Sequence, residues 1–229
     1  MSCTWWPVLL VLLALVAGWC AGAAGRHLLC RLRRGVALRP PWCEIAVALS
    51  WAVAVGRAGG GALPVWWLPV PLALAWWGVL LAGVDLARRR LPDALTLPGY
   101  PVCALLVATV SLVGADGDVG LRAAVGAVLF GAAHAVPHLF SPRAMGAGDV
   151  KLSGVLGAVL AAVSWASLLV GAVLAAAVTA VLGIVRRVGI GLRAPRGPVG
   201  VRAGPVAVPH GPGMLVATWV LVVFPAFGT

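Results

Sequence analysis

Apolar residues run along this chain in long charge-free stretches, broken by short clusters of arginine. The stretches cover residues 1–25, 58–84, 94–115, 123–142, 152–185 and 203–229. A helix needs about 20 apolar residues to cross ~30 Å of hydrocarbon. A shorter run, 45–56, follows Glu44 and can cross if its helix starts near Pro41, with Glu44 in the interface. The 152–185 run is too long for one crossing, since at ~1.5 Å per residue it reaches about 50 Å. Ser164 and Ser167 flank Trp165 and divide it. The pattern predicts spans near 5–24, 42–56, 64–84, 94–114, 122–140, 150–163, 166–185 and 207–227. The expected fold is all-α: a polytopic membrane helix bundle of about eight transmembrane helices, forming a single domain over residues 1–229.

Composition agrees. The chain is 62% hydrophobic and 10% charged, with a mean hydropathy of +1.05. A soluble domain has a polar surface to cover and is not so apolar. The net charge of +11 raises the question of nucleic acid. Its distribution answers it. All 17 Lys and Arg except Arg57 and Arg122 fall in alternate loops, and hence on one side. Positive residues mark the cytoplasmic face. The arginines therefore read as topology and contact with anionic lipid, not as a nucleic-acid surface. The expected place is the cell membrane, with both termini outside.

The first stretch lacks the basic start of a signal peptide, having no Lys or Arg before Arg26, and is read as a retained helix. The cysteines are Cys3, Cys20, Cys30, Cys43 and Cys103, and no two have the spacing of a zinc knuckle or redox pair. His134 and His138 stand one turn apart with no carboxylate beside them, so a pore-side or interfacial pair is expected rather than a metal site. No metal and no cofactor is implied.

The chemistry rests with six acidic residues: Glu44, Asp85, Asp93, Asp116, Asp118 and Asp149. An ionisable group at membrane depth is costly and is by default a functional hypothesis. Asp85 ends the third span, ahead of Arg88, Arg89 and Arg90, and could simply pair with one of them at helical spacing. Asp149 lies in Met145-Gly146-Ala147-Gly148-Asp149-Val150-Lys151-Leu152 and could simply cap the sixth helix. The two glycines allow close packing or positive φ there. In Leu91-Pro92-Asp93, Pro92 stops one helix and Asp93 is read as the cap of the next. Together, on one side of the membrane, Asp85 and Asp149 can form a dyad sharing one proton, suited to activating water. No Ser stands in a Gly-x-Ser-x-Gly frame and no His-Glu-x-x-His occurs.

These residues resemble a family. Asp85 through Leu91-Pro92-Asp93-Ala94-Leu95-Thr96 resembles the first catalytic segment of type IV prepilin peptidases, and Gly146-Ala147-Gly148-Asp149 with Lys151 resembles their Gly-x-Gly-Asp segment. Pro209-His210-Gly211-Pro212 is similar to the Pro-Phe-Gly-Pro before their last helix, with His210 in place of Phe. Pro41-Trp42-Cys43-Glu44 is similar to the entry to their second span. The resemblance implies an aspartic endopeptidase with Asp85 and Asp149 catalytic, supported by Gly146, Gly148, Lys151, Pro92 and Asp93. The implied partners are membrane lipid and prepilin or pseudopilin substrates, whose basic leaders the family removes at the cytoplasmic face. Many members carry two Cys-x-x-Cys pairs between the first two spans and methylate the new amino terminus. Here residues 26–41 are too few, and only Cys30 and Cys43 stand there, so the expectation is a short form that neither methylates nor binds zinc. The alternative is a non-catalytic multi-pass protein, a transporter or an assembly factor, in which the aspartates are an ion-pair partner and a cap.

Overall fold

A computed structural model describes residues 5–32, 36–88, 91–114, 117–140, 146–193 and 210–225, with side chains left undescribed from 186 to 193. Arg33, Arg34, Arg89, Arg90, Asp116, Arg143, Met145, Arg196, Arg202 and Pro209 lie outside the described residues, as do the side chains of Arg186, Arg187 and Arg193.

The described residues form helices without strands: α1 (Trp6–Arg31), α2 (Trp42–Gly59), α3 (Pro69–Arg88), α4 (Asp93–Thr96), α5 (Gly99–Val113), α6 (Val119–Phe140), α7 (Ala147–Val163), α8 (Trp165–Arg193) and α9 (Gly211–Val223). A 3₁₀ turn at Val65–Trp67 leads into α3. Setting α4 aside, the other eight helices follow the eight predicted spans in order. Among the described residues, five stretches are long and apolar enough to cross a membrane: Trp6–Arg31, Val65–Arg88, Asp93–Val113, Val119–Phe140 and Trp165–Val185. The protein is a multi-pass helical membrane protein.

The remaining three helices fall short for visible reasons. α2 carries Glu44 and Arg57; α7 carries Asp149 and Lys151 in 17 residues; α9 has 13 residues, about 20 Å at ~1.5 Å each. α7 and α9 are also the most enclosed. Leu152, Leu156 and Leu160 of α7 and Met214 and Val222 of α9 are fully buried. α7 and α9 form the centre, and other helices pack around them.

Boundaries differ from expectation in instructive places. α1 runs to Arg31 rather than ending near 24, so Arg26 and Arg31 lie on the helix and not in a loop. The predicted 94–114 span is a short turn of helix and then α5, with Pro98 between them. The long run does divide at Ser164, whose Oγ accepts the Ser167 N–H at 3.0 Å and so caps α8.

Close helix pairs rely on glycine. α1 packs on α2, and α6 on α7, over the most extensive interfaces. A Cβ on Gly18 would stand 2.7 Å from the Ala48 Cα, and one on Gly22 would stand 2.7 Å from the Cys43 carbonyl and the Glu44 Cα. Gly126 and Gly157 meet the same way across α6 and α7, where a Cβ on Gly126 would be 2.6 Å from the Gly157 carbonyl. Small residues let backbones approach where lipid offers no hydrophobic drive to associate.

Indole and guanidinium groups then tie helices together through backbone carbonyls. Trp76 Nε1 donates to Ala21 O at 2.8 Å, Trp51 Nε1 to Leu72 O at 3.0 Å, and Trp67 Nε1 to Val222 O at 3.0 Å. Arg57 Nε donates to Val223 O at 3.1 Å. Arg122 donates to Ala161 O at 3.1 Å and Ala162 O at 3.0 Å. The two arginines set apart by the charge pattern thus sit at the carboxyl ends of α9 and α7, where cations favour the helix dipole.

Candidate active site

Three elements converge at the basic end of the bundle. α3 supplies Asp85 one turn before its end, α7 supplies Asp149 in its first turn, and α9 begins beside them at Gly211. Asp85 is 4% exposed and Asp149 is half-buried. A Cβ on Gly211 would stand 2.9 Å from Asp85 Oδ2 and 3.3 Å from Asp149 Oδ1. The two oxygens are therefore no farther apart than those distances laid end to end. Only glycine lets the α9 backbone come this near both carboxylates.

Both aspartates line a polar cavity of about 870 Å³, together with Arg88, Leu91, Pro92, Asp93, Gly146, Ala147, Gly148 and Lys151. The sequence-predicted site residues are thus gathered in one place. A second cavity, about 250 Å³ and almost wholly apolar, lies between α3, α5 and α7 and holds none of them.

The two motifs touch. A Cβ on Gly148 would be 2.9 Å from the Leu91 Cβ, so the missing side chain seats the α3–α4 connection on α7. Lys151 Nζ pairs with Asp93 Oδ1 at 2.6 Å, a second bridge between the same segments, with side chains 40% and 59% exposed. Trp77 Nε1 donates to Leu95 O at 2.8 Å, and the Tyr100 hydroxyl donates to Lys151 O at 2.7 Å. These bonds fix α4 and the start of α5 to α3 and α7.

The capping expectations are corrected. Pro92, not Asp93, is the N-cap of α4; its carbonyl accepts the Leu95 N–H at 2.9 Å, and the Asp93 carboxylate goes to Lys151. Gly146, not Asp149, is the N-cap of α7, without a side-chain cap bond. Asp149 is three residues further on, which turns its carboxylate towards Asp85 and Gly211. Gly146 takes φ −72°, open to any residue; among the described residues the positive-φ glycine is Gly61. Gly148 is therefore needed for space, and neither glycine for its dihedral angles. His134, one of the two histidines on α6, has defined partners. His134 Nδ1 donates to Phe130 O at 2.8 Å, and its ring lies 4.5 Å from Phe130 and 5.8 Å from His210, centre to centre, so it packs against helices.

Two helix amino termini, those of α7 and α9, face the carboxylates. Their partial positive ends favour negative charge on these carboxylates. Sequence reasoning missed Gly211 as a wall of this site, and it missed the burial of Glu44. Glu44 is 3% exposed and its Oε1 accepts from Arg26 Nε at 2.7 Å, between α1 and α2.

A helical membrane bundle with two facing carboxylates defines a class, that of polytopic proteins with a buried acidic pair. Comparison with known proteins narrows it. The sequence profile of the type IV leader peptidase family matches residues 72–184, which include both aspartates. A prepilin leader peptidase/N-methyltransferase of Aeromonas hydrophila is 37% identical over 154 residues, covering 65% of this chain and 49% of that protein. The chain thus spans about half the length of the curated relative it matches. No solved structure matches. Over residues 72–184 the chain is thus similar to the type IV leader peptidase family.

Proposed function

We propose that the whole chain forms one peptidase domain that cleaves the leader from type IV prepilins or pseudopilins by aspartic chemistry, at the basic, cytoplasmic side of the cell membrane. The observation that carries the reading is the meeting of Asp85, Asp149 and Gly211 at one point. Two carboxylates this near cannot both ionise cheaply, so they share a proton. The ionised partner takes a proton from a water between them, and the oxygen of that water bonds to the peptide carbonyl carbon. The protonated partner hydrogen-bonds the carbonyl oxygen as charge develops there. It then protonates the departing nitrogen as the C–N bond breaks. The two helix amino termini stabilise the net negative charge throughout. No residue near the pair calls for a metal in this scheme.

The test is leader removal from a coexpressed prepilin, read on a gel. Asp85→Asn and Asp149→Asn keep the shape and lose the exchangeable proton, so each should slow cleavage by a factor of ~100 or more while the protein still inserts. Normal processing by either variant at normal protein level would remove the assignment.

A further inference from the structure

α9 is held against the site by an arrangement that the dyad reading does not use. The helix begins at Gly211 without a side-chain cap, and Pro212 in its first turn has no N–H to donate. Its start is fixed instead from α8. His210, the residue before the helix, brings Nδ1 to 2.8 Å from Thr179 Oγ1. The Thr179 hydroxyl donates its one proton to Ala175 O at 2.8 Å. His210 Nδ1 must then be the donor to Thr179, which sets a single tautomer. Gly213 meets the same hydroxyl: a Cβ there would collide with Thr179 Oγ1 and stand 2.8 Å from Ala175 O. On α6, the His134 ring packs 5.8 Å from the His210 ring and is itself fixed by its bond to Phe130 O. His210 is thus held by α8 and packed against α6, one peptide bond from Gly211.

We infer that Thr179 and His210 are positioning residues, whose hydrogen bond sets the depth at which Gly211 lies against Asp85 and Asp149. The inference rests on the dyad reading above. Neither side chain touches the reacting atoms. Their effect is transmitted through the α9 backbone, which has little room for error: the Gly211 Cβ direction points to within 2.9 and 3.3 Å of the two carboxylates. A shift of α9 towards them closes the gap where water must sit, and a shift away opens the pair to bulk water.

The experiment measures kcat and KM of the full chain in detergent, with a purified type IV prepilin as substrate. Thr179→Val keeps the shape and removes the hydroxyl; kcat should fall about tenfold or more, since small misplacements near a reacting centre cost that much. KM should stay within about twofold, because the binding surface is unchanged. Thr179→Ser restores the hydroxyl and should recover kcat. If Thr179→Val is poorly produced, His210→Leu and His210→Asn give the same contrast from the other partner, Asn retaining an N–H donor. A parental kcat in Thr179→Val or His210→Leu overturns the inference, as does Thr179→Ser being as slow as Thr179→Val. Asp85→Asn, run alongside, separates the two ideas. If it is dead while Thr179→Val is unimpaired, only the positioning inference fails. If it still cleaves, the dyad reading fails and takes this inference with it.

Discussion

Two carboxylates are buried at the same end of this bundle in opposite company. Glu44 is 3% exposed and is held by Arg26 of the adjoining helix. Asp85 is 4% exposed and faces Asp149 across the start of α9. Depth is therefore equal, and the sign of the neighbour differs. A carboxylate beside a guanidinium has its charge answered in a fixed contact and serves to join two helices. A carboxylate beside another is left with a proton to share and is suited to moving it. Burial finds both groups; the partner separates a fastening from a pair that can share a proton. The glycines follow the same division. Gly22 gives up its side chain so that α1 can lie on the backbone at Cys43 and Glu44, whereas Gly211 gives up its own so that α9 can lie on the two aspartates.

The largest expected effect tests that division directly. Glu44→Gln should leave cleavage per folded molecule within about twofold, because it lies outside the reacting pair, against the ~100-fold losses at Asp85 and Asp149. Its consequence should appear as a lower temperature of unfolding in detergent, since Arg26 loses its ionic partner. A Glu44→Gln protein that is stable but inactive would break the comparison.

The glycines give the next test. Gly211→Ala should reduce cleavage by about tenfold or more, with little change in unfolding temperature, because the added methyl meets carboxylate oxygens at the edge of a cavity. Gly22→Ala should do the reverse. Its methyl meets backbone, and overpacking of this kind costs about 1–3 kcal/mol. Assaying both variants for activity and for thermal unfolding tells the outcomes apart; equal losses of activity at equal stability would erase the distinction.

A smaller effect belongs to Lys151 and Asp93. The pair is partly exposed, so about 1 kcal/mol or less is at stake. Asp93→Lys or Lys151→Asp alone should slow cleavage no more than about fivefold, and the double exchange should regain part of the loss. No recovery in the double variant would show that the pair does not bridge the two motifs. The smallest effect is expected at the cysteines. Cys30 is exposed and Cys43 buried. Cleavage by Cys30→Ser with Cys43→Ser should stay within about twofold of the parent, with or without a chelator, as expected of a site that uses no metal. Loss of activity in chelator, restored by zinc, would count against it.

Much of this was legible in the chain because it depends on local pattern. Run lengths gave the order of the helices, and the serines at 164 and 167 marked the break that Ser164 makes by capping α8. The two aspartates were legible as costly charges next to apolar runs. The rest depends on residues far apart in the chain. Asp93 and Asp149 have the residue type of caps, but a cation at Lys151 takes one carboxylate and the dyad cavity takes the other. The pairing of Glu44 depends on Arg26, carried on a helix longer than its apolar run. Gly211 stands at the head of a Gly-Pro-Gly turn, a signal of close backbone approach. Which atoms it approaches is decided only by the packing of α9 on α3, α7 and α8.

The completion of the site by α9 also orders events during synthesis. Asp85 and Asp149 leave the ribosome before Gly211, so a growing chain holds both acids while the backbone that lies against them does not yet exist. The far end of α9 is tied by Trp67 Nε1 to Val222 O and by Arg57 to Val223 O, contacts that form only when the helix has threaded fully into the bundle. The surroundings of the two aspartates are thus complete only once α9, the last helix among the described residues, is in place.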